Sequence, residues 1–207
     1  GLGQRSYLDV QSLQSAVSGG IHAYVSMRSQ ADNEQVVDAA LVLSSKALYR
    51  KQADVSRLLR DTLKEPRFDE LERIRELMEQ ILSRREQSIT SQGHSLAMAA
   101  ACSKMSPLSS LNHRTSGLAG IRNFKKLVQG LEKRDALAAF AASLEDVHQA
   151  LANCAIQFLL IAEGSEEEAL TSALQSVWQD SAATGSQSSF SLPGIREQSR
   201  EAWLTST

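Results

Sequence analysis

"IHAYVSMR", residues 21–28, decides the fold class. Ile21, Ala23, Val25 and Met27 alternate with His22, Tyr24, Ser26 and Arg28. A period of two puts these sets on opposite faces, which predicts a half-buried strand in a chain otherwise dominated by helical spacing. Just upstream, Ser6 and Asp9 form a capping-box pattern before Val10, Leu13 and Val17, a short helix that Gly19-Gly20 ends. Downstream, after a polar loop, "AALVLSSKAL" at 39–48 reads as a second strand. The run "AIQFLLIA" at 155–162 is apolar on both faces and predicts a central strand, one that needs hydrogen-bond partners on both sides.

The remaining spacing is helical. Asp54 can cap a helix with Val55, Leu58, Leu59, Thr62 and Leu63 on one face, closed by Pro66. A long helix is expected from about Asp69, with Leu71, Ile74, Leu77, Met78, Ile81, Leu82 and Ile89 forming a buried stripe opposite a charged face. Gly93 bends or breaks it before "SLAMAAACSKM", and Ser106-Pro107 ends it. Two further helices follow, through Leu118, Ile121, Phe124, Val128 and Leu131, then Leu137, Phe140, Leu144, Val147 and Leu151. Ser165 with Glu168 predicts a second capping box, opening a helix through Leu170, Leu174, Val177 and Trp178. Glu166–Glu168 suit the positive end of that helix. Residues 180–194 are rich in Ser, Gly and Pro and read as a linker.

The expected fold is therefore α+β: a helix-rich domain with a small sheet of 20–28, 39–48 and 155–162, and helices 54–64, 118–131 and 135–151 packed on one face. Three strands are few for so many helices. With no initial methionine and an apolar segment starting at "REAWLTST", both ends read as cuts, and the domain as truncated.

Charged residues make up 22% of the 207 and the net charge is −2, so no field recruits nucleic acid or an anionic membrane. The basic pairs Arg84-Arg85 and Lys125-Lys126 are isolated and belong to solvated helix faces. The apolar run at 155–162 is far too short to span a bilayer. Two cysteines, Cys102 and Cys154, make no disulfide framework.

Catalytic chemistry is hard to assemble from these residues. His22, His94, His113 and His148 lie far apart, and none has a second ligand four residues on. Glu145, three residues before His148, supplies half of a ligand pair at most. Cys102 follows His94 by eight residues, roughly 12 Å along a straight helix, too far to share a metal unless Gly93 breaks the helix sharply. Cys102 reads instead as a small buried thiol among alanines that let the helix pack closely. No G-x-S-x-G elbow or phosphate loop occurs, and the carboxylates alternate with Arg and Lys as solvated pairs do. The expectation is no catalytic, cofactor-binding or metal-ligating residue within the chain.

Four stretches in order carry a resemblance: "SGGIHAYV", "SSKALYRKQADVSRLLRDTLKEPRFDELERIRELM", "QGHSLAMAAACSKMSPLSSLNHRTSGL" and "REAWLTST". Together they resemble the pitrilysin/insulinase-type zinc metallopeptidases of the presequence protease branch, from about Leu8 to Thr207. The most specific part is Gly93 to Leu118, with its "GH", "SP" and "GL" at fixed spacing. Ser18 replaces the usual threonine before the paired glycines, and the connection near 129–135 is short.

The resemblance implies four homologous α+β domains closing like a clamshell around an unfolded peptide, with the zinc motif H-x-x-E-H in the first. It aligns residues 1–179 with the third, non-catalytic domain and 180–207 with a linker and the start of the fourth. It further implies zinc bound by the parent enzyme outside this segment. The implied partners are the remaining domains of the same polypeptide and unfolded peptide substrates, such as targeting presequences. The implied compartment is the bacterial cytoplasm or a mitochondrial or plastid matrix. Two other readings stand beside it: a structural relative that has lost its zinc ligands, and a helical module that binds partner helices through apolar stripes.

Overall fold

The computed structural model describes residues 1–179 and the pair 190–191. Two compact units divide it: Gly1–Val25, Leu41–Glu70 and the described part of Ala141–Gln187 form the first; Ser26–Ala40, Leu71–Phe140 and the pair 190–191 belong to the second.

Helix α1 (Tyr7–Val17) starts as its sequence predicts. The Ser6 hydroxyl accepts from the Asp9 amide at 3.3 Å, and Asp9 accepts in return from the Ser6 amide at 3.2 Å. This satisfies two amides that the first turn would leave bare. Gly20, at φ +106°, then turns the chain into β1 (Ile21–Ser29), a backbone conformation open to glycine at little cost. β1 and β2 (Val36–Ser45) are neighbours in the sheet. The Gly19 amide donates to Lys46 O at one end and the Gln30 amide to Val36 O at the other, so the pair is an antiparallel hairpin. β3 (Phe190–Ser191) adds antiparallel to β2, with Val36 opposite Ser191 and Val37 opposite Phe190. The rest of the expected linker and the start of a following domain lie outside the described residues.

In the first unit, α2 (Gln52–Lys64) packs on α1 and on α8 (Glu167–Val177). Leu58 projects from α2 into a core with Leu2 and Val17, flanked by Val10, Leu13 and Ile21. In the second, α3 (Leu71–Ser91) packs on α6 (Leu118–Gly130), and α4 (Gly93–Ala101) and α5 (Pro107–Thr115) close against them. α7 (Arg134–Ala152) supplies the buried Leu137 to the second unit and Ala141 to the first. Ser106 caps α5 by accepting from the Ser109 amide at 3.1 Å, so Pro107 both stops the preceding turn and opens a new helix at its first position.

Several expectations need correction. Asp54 does not cap α2, which starts at Gln52 with no side-chain cap. Residues 155–162 are not a strand: they carry no regular structure, and no backbone–backbone hydrogen bond among the described residues involves them. A strand exists only by pairing, and none of β1–β3 pairs with it. The stripe on α3 is half-covered rather than buried; no α3 residue is buried, and Leu77 stays 39% exposed. β1 forms as a strand, but its burial does not alternate: His22 through Val25 are all exposed, Val25 on the apolar face at 61%. Finally, no side chain caps α8. Ser165 lies in a short 3-10 turn, Gly164–Glu166, that carries the chain into the helix.

Candidate functional site

The titratable residues that could carry chemistry are held apart. His22 is exposed on β1, His94 exposed near the start of α4, and His113 and His148 are half-buried on α5 and α7. Among the described residues no group of three or more His, Cys, Asp or Glu side chains is placed to hold a metal ion. Those residues therefore do not fit a zinc site, which needs three or four ligands on one point.

His148 is the best-anchored of the four. Its Nε2 lies 2.7 Å from the Leu63 carbonyl, one of the last acceptors of α2, which the helix itself leaves without a partner. The Phe68 ring packs beside it, with centroids 6.1 Å apart. The imidazole thus ties α7 to the end of α2. In the second unit the His113 ring stands over Gly117: a Cβ there would meet His113 Nδ1 at 2.7 Å and its carbonyl at 2.8 Å.

Both cysteines are free and exposed. Cys102 is thus not the buried thiol its alanine neighbours imply. It falls just past α4, in the 3-10 turn Cys102–Lys104, where the chain has left the one α4 side chain that is buried, Leu96.

Sequence reasoning missed the polar tie between α2 and α8. The Trp178 indole donates to Ser56 Oγ at 3.1 Å, and the Arg60 guanidinium donates to the Val177 carbonyl at 3.3 Å. Arg60 is itself steadied by Asp61 at 2.9 Å. Phe158 meets Trp178 edge-on, with centroids 5.1 Å apart. A lone serine on a helix face gives no periodic signal, so only the fold reveals its partner. Near the start of α8, the carboxylate of Glu166 accepts from the Tyr49 hydroxyl and raises that phenol above its ordinary value, first through the hydrogen bond and then through its charge.

In the second unit, Arg85 lies 4.6 Å from the centre of the Phe124 ring and donates to the Thr115 carbonyl at 3.3 Å, while Lys125 pairs with Glu86 at 2.8 Å. These contacts clamp α3 onto α6 and the end of α5. A hollow lined by Leu2, Gly3, Gln4, Arg5, Asp61 and Glu65 places Arg5 within 3.8 Å of Asp61. That is an ion pair, with no nucleophile beside it. What the described side chains build is a set of helix-to-helix ties.

Among the described residues no helix is long and apolar enough to cross a membrane. The family of domains associated with M16-type peptidases of subfamily C matches residues 1–127, which hold the hairpin and α1 through most of α6. Over 112 residues, 54% of this chain, the sequence is 26% identical to the mitochondrial presequence protease of Danio rerio. That match spans 11% of the relative's length. The family match stops short of the Leu8–Thr207 span of the sequence resemblance, but it takes in all of Gly93 to Leu118. More than half of the chain is matched, and the chain belongs to this peptidase-associated family of the M16 group, subfamily C.

Proposed function

We propose that this chain is a non-catalytic segment of a zinc metalloendopeptidase that degrades unfolded oligopeptides, targeting presequences among them, inside a closed chamber. The observation that carries the reading is the match of residues 1–127 to a peptidase-associated family. The 26% identity to a presequence protease supports the substrate class. Zinc and the water it activates belong to another part of the polypeptide, because the described residues here do not fit the ion. This segment encloses: it forms wall, helps exclude folded proteins by size, and keeps water out of the closed site. Its partners are the other domains of the same polypeptide and the peptide being cut, and its compartment is the bacterial cytoplasm or an organelle matrix.

The test has two arms. Residues 1–207 alone are expected to bind no stoichiometric zinc and to leave a fluorogenic peptide intact; chelator-sensitive cleavage by this chain would overturn the non-catalytic role. Deleting the segment from the full-length enzyme is expected to abolish cleavage of long unstructured peptides. Full retention of that cleavage would end the enclosure role.

A further inference from the structure

Charge is spread along this chain far less evenly than its total of −2 implies. Of the 22 Arg and Lys and 24 Asp and Glu, residues 84–134 hold nine and two, a net of +7 that leaves −9 for the rest. All of that stretch lies in the second unit. The two basic pairs that stand apart in the sequence meet there. Arg85 of α3 lies 4.6 Å from the centre of the Phe124 ring on α6, and Glu86 pairs with Lys125 at 2.8 Å. Arg85 also donates to the Thr115 carbonyl at the end of α5, next to Arg114. On α6, Arg122 and Lys126 stand one turn apart, about 6 Å along the axis. Both are exposed, as are Arg84 and Arg114, and none of the four has an ion pair with a described residue. Like charges four residues apart weaken a helix, so the cluster does not serve the stability of α6.

We propose that the exposed side of α6, with the adjoining ends of α3 and α5, docks a short carboxylate-rich polypeptide segment. Arg presents a planar fork that matches a carboxylate, and Lys a point charge beside it. Three observations favour this occupant over other anions. The patch is bounded. Glu79, exposed and without an ion pair among the described residues, lies two turns before Glu86 on the same side of α3, and exposed Glu132 and Asp135 follow α6. A duplex or a lipid surface is broader than the ~20 Å length of α6 and would be pressed against those carboxylates, whereas a short segment would not. No exposed aromatic ring stands between the cations to stack on a base, because Phe124 is half-buried beneath Arg85. Leu118 shares the side of Arg122 and Lys125 and is 43% exposed, a seat for one apolar side chain of a peptide. An Arg-rich targeting peptide would be repelled here. The proposal rests on where the charges lie and not on the peptidase role.

Fluorescence anisotropy of a labelled oligoglutamate, mixed with the full-length protein and a chelator that stops cleavage, tests it. The probe is expected to bind at low salt and to be released as salt rises. Arg122→Glu combined with Lys126→Glu is expected to weaken binding about tenfold or more, with the melting temperature kept because both side chains are exposed. Arg50→Glu combined with Lys64→Glu reverses two exposed cations of the first unit and is expected to leave binding unchanged. Absence of binding at low salt overturns the proposal, as does binding that survives the α6 reversal. Equal losses in the two double variants mark unspecific attraction and overturn it too. Duplex DNA of about twenty base pairs and phosphatidylcholine vesicles with about 30% phosphatidylserine are expected to bind more weakly than oligoglutamate. Tighter binding of either, lost on the α6 reversal, assigns the face to nucleic acid or to a membrane and overturns the peptide reading.

Discussion

Gly120→Ala sets two known effects against each other at one position of α6. Glycine in a helix interior costs about 0.5–1 kcal/mol relative to alanine, so the substitution gains that much from the backbone alone. Against this, a Cβ on Gly120 would run into the Thr115 carbonyl group and lie 3.0 Å from the Arg114 carbonyl oxygen. These are backbone atoms at the end of α5, and Arg85 also donates to the Thr115 carbonyl. They cannot rotate away as a flexible side chain would, so the α5–α6 corner must open by most of an ångström. Overpacking of this kind costs about 1–3 kcal/mol. The loss exceeds the gain, and a net destabilisation of about 1–2 kcal/mol is expected in urea unfolding followed by circular dichroism. Gly130, the last residue of the same helix, has nothing within 4 Å of its would-be Cβ. Gly130→Ala should therefore stabilise by up to about 1 kcal/mol. If Gly120→Ala is as stable as the wild type, or if both substitutions shift stability in the same direction, the close α5–α6 contact does not exist.

Other substitutions probe separate links. Leu58→Ala, at 1% exposure in the α1–α2 core, should cost about 2–5 kcal/mol in the same unfolding experiment. Leu77→Ala, on the half-covered α3 stripe, should cost only about 1–2 kcal/mol, and equal losses at both sites would show that α3 is buried after all. Ser56→Ala leaves the Trp178 indole without its acceptor and should cost about 1–3 kcal/mol, with a shift in tryptophan fluorescence; an unaltered spectrum and stability would deny the α2–α8 tie. Tyr49 should ionise above its ordinary value of 10.0, because the neutral hydroxyl donates to Glu166 and a phenolate would face a carboxylate. The sign follows: this contact adds stability below pH 10 that is lost as the pH rises through the higher folded value, and Glu166→Gln should bring the ultraviolet phenol titration back down.

Helices were legible because their signals are local. Ser6 and Asp9 cap α1 within four residues of each other, and the apolar spacing after Leu118 needs nothing beyond one turn of α6. Burial was less legible, because it depends on what lies opposite. The α3 stripe has the right period and is still not buried, and on β1 the apolar face leaves Ala23 and Val25 as exposed as the polar face leaves His22 and Tyr24. The stretch 155–162 is the extreme case: composition announces a strand, but pairing is a property of two segments, and no other described strand is hydrogen-bonded to it. Polar ties such as Ser56–Trp178 and His148–Leu63 join residues 122 and 85 positions apart and leave no trace in spacing.

The most specific part of the sequence resemblance, Gly93 to Leu118, has a physical explanation that involves no catalysis. Its marked positions are helix boundaries. α3 ends at Ser91 and α4 starts at Gly93, across a break at Gln92. Ser106 and Pro107 are the cap and the first residue of α5. Gly117 caps α6 just before Leu118, where any Cβ would press on the His113 ring and carbonyl. The marked residues do not all answer to the same constraint, however. Gly93 has open space around it, so a side chain there would meet nothing, whereas Gly117 and Gly120 have none to spare. A pattern of this kind fixes where three short helices turn on one another. Such a run of helices needs its corners specified more closely than its faces, because the corners set the direction of every helix that follows.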